Sequence, residues 1–430
     1  EATRLTGMPV RVTGAIDARL LPTPSLVLKD VEAGTGTDAP HVRARELSIE
    51  FGLGPLLRAH WRASELRLLG PELHVGLDRD GAIDWPKNAA DLAPDQLSID
   101  RFVIEGGRIV LSDAGSGGRL VLDRLSFAGE FRSLLGPAKG EGSFEVDGES
   151  YRYALAAGRL EDEAVKLHVE VDPGDRPWTA EADGVVHFAN QAPEFEGALK
   201  LARPAGVVDA AGHGVALVPW RANGHVKITA ANALFDKAEF QYGPDERAIR
   251  LSGAANLKFG QDPRYDAVLS GRQLDLDALL GLPESARRLP LAAVQELAEL
   301  FTGPLRLPIP GRVGISIDSV TLAGSPLRDV RGDLTSDAKG WDLEHFEFRA
   351  PGFTSARVSG RLGFADQGAS FHGPASIEAS DPKALLAWLE GRSAAAHGPA
   401  GLLRASGELA LGSDRIAIDR LKAELDRKEF

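Results

Sequence analysis

The sequence predicts a mainly β protein whose strands pair mostly antiparallel, with a few short α-helices. The first observation is a polar–apolar alternation that recurs along the chain: in AVKLHVEVD, Val165, Leu167 and Val169 fall on one side of a strand. Strict alternation of this kind is typical of half-buried strands. The second is that short turns rich in glycine or proline, such as DAGSGG, VDPGD and QYGPDE, separate these segments. Short connections favour antiparallel neighbours.

The third observation is that helical periodicity is rare. One helix is predicted near 290–302, in PLAAVQELAELF, and a shorter one over 382–390, where Asp381 is placed to cap the first turn. The polar side of the first helix carries Glu296 and Glu299 rather than the Lys and Arg of membrane-surface helices, so we expect it to pack against the sheet end. The apolar residues of the second are expected to form a local core.

Composition excludes several classes of function. The chain has 430 residues, of which 43% are hydrophobic and 26% charged, as expected of a folded chain. Its net charge of −13, with both signs interspersed, argues against a nucleic-acid partner. The absence of cysteine excludes disulfides, thiolate metal sites and thiol nucleophiles. No apolar run approaches the ~20 residues that span a bilayer.

Internal repeats indicate a protein built by adding similar units along an axis. LSGAANLKF from Leu251 is similar to VSGRLGF from Val358, and SGRQLDLDALLG from Ser270 is similar to SIEASDPKALLAWLEG from Ser376. A more divergent copy includes FEGALKLARPAG from Phe195. Repeats of strand, strand and short helix are typical of such architectures. We therefore predict four units: 1–95, 96–180, 181–310 with the first helix, and 311–430 with the second.

Four segments near the start carry the most informative pattern. They are SLVLKDVEAG from Ser25, ELSIEFGLGPLL from Glu46, SELRLLGPELHVGL from Ser64 and DGAIDWP from Asp80. They combine alternating strands with three connecting features. Pro55, Leu56 and Leu57 form a turn, Gly70 and Pro71 form a corner, and Gly81 and Trp85 form a hairpin. This pattern, over residues 7–85, resembles the opening of the AsmA family of bacterial envelope proteins, whose relatives include the TamB-like bridge-like lipid-transfer proteins. Asp84 stands where that family usually has Asn.

The resemblance implies an elongated, curled antiparallel β-sheet that forms an apolar groove. It implies a non-enzymatic function without a cofactor: transport of phospholipid or a related amphiphile between the inner and outer membranes. The partners would be lipid acyl chains, the inner membrane through an anchor upstream of this segment, and outer-membrane components. The full-length protein would be periplasmic, anchored to the inner membrane and longer than this sequence at both ends. The seven turn and corner residues would have structural roles.

The candidate lipid-binding residues are the apolar side of each predicted strand. An apolar sheet face must be covered by a second sheet, by closure into a barrel, or by a ligand, and alternation alone does not choose among the three. The resemblance favours the ligand. The candidates are Leu73, Val75, Ile109, Leu111, Leu120, Leu122, Phe144, Val146, Leu167, Val169, Phe188, Val226, Ile228, Ile315 and Ile317.

Other functions have weaker support in the sequence. A scaffold for outer-membrane protein assembly would bind its client by strand addition at a sheet edge. A carbohydrate-active enzyme would need a pair of carboxylates, and no pair stands out. His74 and His168 fall on the polar side of their strands, where solvent exposure is expected. Asp78, Asp80 and Asp84 surround Gly81 in the manner of a hairpin turn rather than a calcium loop, which has its glycine at the sixth position.

Overall fold

The computed structural model describes residues 9–34, 41–52, 54, 62–79, 81–84, 98–131, 137–160, 164–172, 178–189, 192–204, 218–280, 289–302, 309–365, 368–392, 401–412 and 416–429. The chain forms two compact units. Unit one comprises Glu1–Leu217, Asn223–Ala233 and Phe259–Asp262. Unit two comprises Val218–Ala222, Leu234–Lys258 and Pro263–Phe430. The prediction of a mainly β protein with few short helices is confirmed, with 25 strands and three helices among the described residues.

Unit one is a sheet of thirteen strands, with part of β14. The strands are β1 (Val10–Val12), β2 (Ile16–Arg19), β3 (Ser25–Ala33), β4 (Val42–Phe51), β5 (Arg62–Leu69), β6 (Glu72–Leu77), β7 (Ser98–Asp113), β8 (Arg119–Phe131), β9 (Ala138–Val146), β10 (Glu149–Arg159), β11 (Val165–Asp172), β12 (Thr179–Ala189), β13 (Ala192–Arg203) and β14 (Trp220–Ile228). Strands β1 and β2 both pair with β3, and β3 pairs with β4. From β7 to β13, every strand pairs antiparallel with the next.

Strands β5 and β6 are two halves of one broken strand, because both run antiparallel to β4 and parallel to β7. The break is the corner predicted at Gly70 and Pro71. Gly70 has a φ of +56°, and its N–H donates to the Glu105 carbonyl at 2.8 Å. Pro71 is buried, and its carbonyl accepts the Arg108 N–H at 2.7 Å. The corner therefore holds both half-strands on β7.

Unit two contains the remaining strands and the three helices. The strands are β15 (Asn232–Tyr242), whose first two residues belong to unit one, β16 (Ile249–Lys258), β17 (Arg264–Asp275), β18 (Gly311–Leu322), β19 (Ser325–Asp337), β20 (Gly340–Ala350), β21 (Thr354–Ala365), β22 (Gly368–Ala379), β23 (Leu403–Leu411), β24 (Ile416–Leu425) and β25 (Lys428–Glu429). The helices are α1 (Leu276–Leu279), α2 (Pro290–Thr302) and α3 (Pro382–Leu389). Strands β17 and β18 pair parallel, and β18 to β25 pair antiparallel in chain order.

The helices of unit two cover part of its sheet, and both sequence-predicted helices are confirmed. The buried cluster beneath them contains Leu274, Ala293, Ile317, Val320, Leu322, Leu327, Val330 and Ala350. Helix α2 places Ala293 in this cluster, and its Gln295 Nε2 donates to the Gly412 carbonyl at 2.9 Å. In α3 the Asp381 carboxylate accepts N–H groups of the first turn, as predicted, and Leu385 is buried. In the described part of the chain, no helix combines the length and apolar character needed to cross a membrane.

Candidate functional site

Strand register in unit one aligns apolar residues from strand to strand on one side of the sheet, here called the apolar face. Directly paired residues share a face of a sheet. One row crosses eleven strands from β2 to β13 without a polar residue other than tyrosine: Ile16, Leu28, Leu47, Leu68, Ile104, Phe127, Gly142, Tyr153, Val171, Ala180 and Leu201. At ~4.8 Å per strand, the row is roughly 50 Å long.

A second row runs parallel to the first, one side-chain repeat along the strands. Its members are Ala18, Leu26, Ile49, Leu66, Phe102, Gly129, Gly140, Leu155, Val169, Ala182 and Leu199. Between β9 and β13, a third row contains Ala138, Ala157, Leu167, Gly184 and Gly197. The apolar face is therefore continuous both across the strands and along them.

The first group of candidate residues lies together on this face. Register joins Leu73, Ile109 and Leu122 in one row across β6, β7 and β8. It joins Val75, Leu111 and Leu120 in the next. The Leu120 side chain is 44% exposed.

The second group extends the face towards β13. Leu167 and Val169 belong to the rows above, and Phe144 and Val146 lie on the same side of β9 as Gly142. Phe188 is paired with Pro193 and is 47% exposed. On β14, His225 and Lys227 contact Glu196 and Glu194, which lie on the polar side of β13. Because side chains alternate along a strand, the half-buried Ile228 points to the opposite, apolar side.

Val226 and Ile317 require a correction as candidates for an open face, because both are buried in the protein. Val226 is 0% exposed, and Ile317 belongs to the helix-covered cluster of unit two. Its neighbour Ile315 is half-buried on β18. Alternation reports only that a side is apolar, and it does not distinguish a side covered by protein from one left open.

Partial burial is the property that makes the apolar face a candidate binding surface. Among the described side chains that it presents from β9 to β13, Ala138 alone is fully buried. The other apolar side chains there are half-buried, apart from the exposed Phe188: Phe144, Val146, Tyr151, Tyr153, Leu155, Ala157, Val165, Leu167, Val169, Val171, Ala180, Ala182, Val186, Pro193, Phe195, Leu199 and Leu201. The bulky residues in the middle of a sandwich core would be closed to solvent.

Two β-bulges keep the apolar residues on one side where alternation is interrupted. In β8, Leu122 pairs with Ile109 and Leu125 pairs with Gly107. Ile109 and Gly107 are two residues apart in β7 and share a face, so the two leucines share that face as well. Strict alternation would place the leucines on opposite sides, because they are three residues apart. The extra residue lies near Arg124, whose φ is +49°. Gly106 in β7 has a φ of +61° at the matching irregularity. The bulges therefore preserve the face where a strict period of two would reverse it.

Six aromatic rings form a ladder across the apolar face. Of these six residues, only Phe144 is among the candidates predicted from the sequence. The successive ring centroids of Phe102, Phe127, Tyr153, Phe144, Tyr151 and Trp178 are separated by 5.9, 6.5, 5.7, 5.4 and 6.4 Å. The Phe127 ring lies over paired glycines, because a Cβ on Gly129 would stand 2.6 Å from its Cζ. The continuation of alternation after Arg124, in RLSFAGEF, is the signal that could have identified Phe127.

Tyr153 provides a pH-dependent probe of this ladder. Its hydroxyl donates to the Ser126 carbonyl at 3.0 Å, and burial raises its pKa from 10.0 to about 12. The folded state thus holds the proton more tightly than the unfolded chain, so this stability is complete below about pH 10 and is lost as the pH rises to about 12.

We expect the free energy of unfolding in urea to decline over that pH range in the wild type and to decline less in Y153F. Urea titrations at several pH values measure this. The matched control is Y151F, which removes the phenol two residues away and leaves the Tyr153 hydroxyl, which donates to Ser126, in place. Equal slopes for wild type and Y153F would contradict the assignment.

From β11 to β14, the opposite side of the sheet carries ion pairs between neighbouring strands. The His168 Nδ1 lies 3.1 Å from Asp183, and the Lys200 Nζ lies 3.1 Å from Glu181. A hydrogen bond to Glu194 raises the pKa of Lys227. Such solvent-exposed pairs add little stability. They show instead that the two sides of the sheet differ sharply in polarity.

Unit two has a different kind of apolar site, a small cleft beside α2. Its interior volume is about 20 Å³, room for about one water molecule and far below that of a small-molecule pocket. It is lined by Gln295, Ala298, Leu362, Ala369, Phe371, Leu411 and Gly412. Helix α2 contributes Gln295 and Ala298 to this lining, so the sheet is covered by the helix here.

Among the described residues, metal-ligating side chains do not offer an alternative site to the apolar face. No group of three or more metal-ligating side chains occurs among the described residues. The Asp78 carboxylate accepts the Ala82 N–H at 2.9 Å, and Gly81 has a φ of +80°. This confirms the predicted hairpin turn. Asp80 lies outside the described residues.

No family model, curated protein or solved structure matches this chain. The resemblance over residues 7–85 therefore stays a prediction. Of the residues that carry it, Gly70, Pro71 and Gly81 form the expected corner and turn. Pro55, Leu56, Leu57 and Trp85 lie outside the described residues.

Proposed function

We propose that this protein carries phospholipid, or a related amphiphile, with its acyl chains on the apolar face of unit one. The observation that supports the proposal most directly is a surface of eleven aligned strands whose apolar residues are only half-buried from β9 to β13. In keeping with the resemblance at residues 7–85, we place this activity between the two membranes of a bacterial envelope, in a periplasmic protein anchored to the inner membrane.

The free-energy scale explains why such a face would matter. Each CH₂ group removed from water contributes ~0.8 kcal/mol, so exposing two long acyl chains costs on the order of 20 kcal/mol. A lipid that slides along continuous rows of Leu, Val and Phe avoids most of that cost without covalent chemistry. The headgroup would remain in solvent.

Length and continuity of the rows suit a chain-like ligand better than a compact one. The ligand pockets of enzymes are concave and place a few polar groups to orient the substrate. The two long rows instead contain tyrosine as their one polar side-chain type, at Tyr153. An apolar chain needs no directional partner, and it can therefore move along such a surface.

The test is an aspartate on the apolar face. V169D should retain the fold, because Val169 is half-buried, and should bind acyl chains about tenfold or more weakly, because lipid would desolvate the carboxylate. Lipid extracted from the purified protein and titration with a fluorescent phospholipid measure the effect. I228D tests the same expectation on β14.

A matched control lies on the neighbouring strand. Val169 pairs with Leu155, and the next residue, Ala156, pairs with His168 on the polar side of the sheet. A156D adds the same charge to the other side and should bind lipid as the wild type does. If a folded V169D protein kept wild-type lipid binding, or if A156D lost as much, the apolar face would not be the binding surface.

A further inference from the structure

The apolar face begins at an exposed sheet edge. Strands β1 and β2 pair with β3 and with no other described strand. Ile16 and Ala18 of β2 are the first members of the two long rows. The rows therefore start at β2, and a lipid that enters them at this end must cross that strand.

Three large aliphatic side chains are concentrated at this edge and are exposed. Ile16 is 62% exposed, and Leu20 and Leu21, in the turn that follows β2, are each 76% exposed. Among the described large hydrophobic residues, only Phe353 is more exposed than the two leucines. We define Ile16, Leu20 and Leu21 as the edge patch.

The size and charge of the edge patch favour a bilayer over a protein partner. A stable protein interface buries about 800 Å² on each side, well beyond what three aliphatic side chains supply. Insertion into the acyl boundary of a membrane needs no complementary shape, and each apolar side chain that enters the boundary adds to the binding. The formal charges of the neighbouring Asp17 and Arg19 cancel, and the net charge of −13 opposes anionic lipid. Attachment would depend on apolar insertion.

We propose that the edge patch docks on the surface of a lipid bilayer, so that the start of the apolar face meets the acyl chains of the membrane. This inference rests on the proposed function, since it assigns the step by which lipid reaches that face. Continuity carries it: Ile16 belongs both to the edge patch and to the first apolar row. The membrane then replaces water along the one stretch that a lipid must cross.

The experiment is flotation with vesicles of neutral phosphatidylcholine. Wild-type protein should float with the vesicles, and L20D/L21D should reduce the bound fraction about tenfold, because two carboxylates cannot enter the acyl region. The matched control is L234D/V268D, which changes residues 47% and 67% exposed on β15 and β17 and should float as the wild type does.

A second measurement separates this inference from the proposed function. Binding of a short-chain phosphatidylcholine, presented as monomers without a bilayer, should be unchanged in L20D/L21D and weakened in V169D. Loss of binding in both variants would indicate damage to the whole face and overturn the docking role. Undiminished flotation of L20D/L21D would also overturn it. So would a wild-type protein that forms dimers through this edge and does not float.

Discussion

Replacement of Val226 by aspartate is expected to unfold the sheet around β14. Val226 is 0% exposed, so the carboxylate would lie in the interior without the water that stabilises its charge. We expect a loss of at least about 4 kcal/mol in the free energy of unfolding, a large part of the stability of an ordinary domain. Thermal melting followed by circular dichroism, with limited proteolysis at room temperature, measures the effect.

The stability of V226D is to be compared with that of V169D. Both substitutions place aspartate at an apolar strand position, and the sequence pattern does not distinguish the two sites. Burial does: at the half-buried Val169 we expect a loss of about 1 kcal/mol, because water reaches the new carboxylate. Equal melting temperatures for the two variants would mean that the face is no more open to water than the interior.

The second large effect is expected from G142A, a change of one methyl group. Gly142 lies between Phe127 and Tyr153 in the first row. A Cβ there would collide with the Ser126 carbonyl and approach Cε1 of Tyr153 to 3.0 Å. Since the first obstacle is backbone, the β8–β9 pairing must shift, and we expect a destabilisation of about 3 kcal/mol. Chemical denaturation and the near-ultraviolet signal of the aromatic ladder measure it.

The same substitution elsewhere in the sheet provides the control. Gly158 lies on the adjacent strand β10, and a Cβ at that position would meet no atom within 4 Å. G158A should therefore be neutral or stabilise the protein by about 0.5 kcal/mol, by restricting the unfolded chain. A G142A protein as stable as G158A would show that the strands accommodate a methyl group between the rings.

Local pattern was sufficient to predict the strands, the two helices and much of the apolar face. Leu73, Ile109 and Leu122 were assigned from three separate stretches of alternation, and register places them in one row. This works because the side-chain period of a strand is a property of the backbone alone. The cap at Asp381 was predicted for a similar reason, since its hydrogen bonds are made within a single turn.

Features that depend on distant parts of the chain were not predictable in the same way. Val226 and Ile317 have the same alternating context as Val169, and only the packing of other elements distinguishes them. The contact of Tyr153 with Phe127 was missed because the two rings belong to different strands. The edge patch was missed because exposure at Leu20 follows from the strand order rather than from its neighbours in sequence.

The bulge near Arg124 has a consequence for how the gene can change. The apolar residues of β8 on either side of it share one face of the sheet only because one extra amino acid is present. Loss of a single codon within a strand would move every following side chain of that strand to the opposite face of the sheet. Loss of a whole hairpin would shorten the apolar face by two strands and leave the orientation of the other side chains unchanged. Lineages of this protein are therefore expected to vary in length by hairpins, and rarely by single residues within strands.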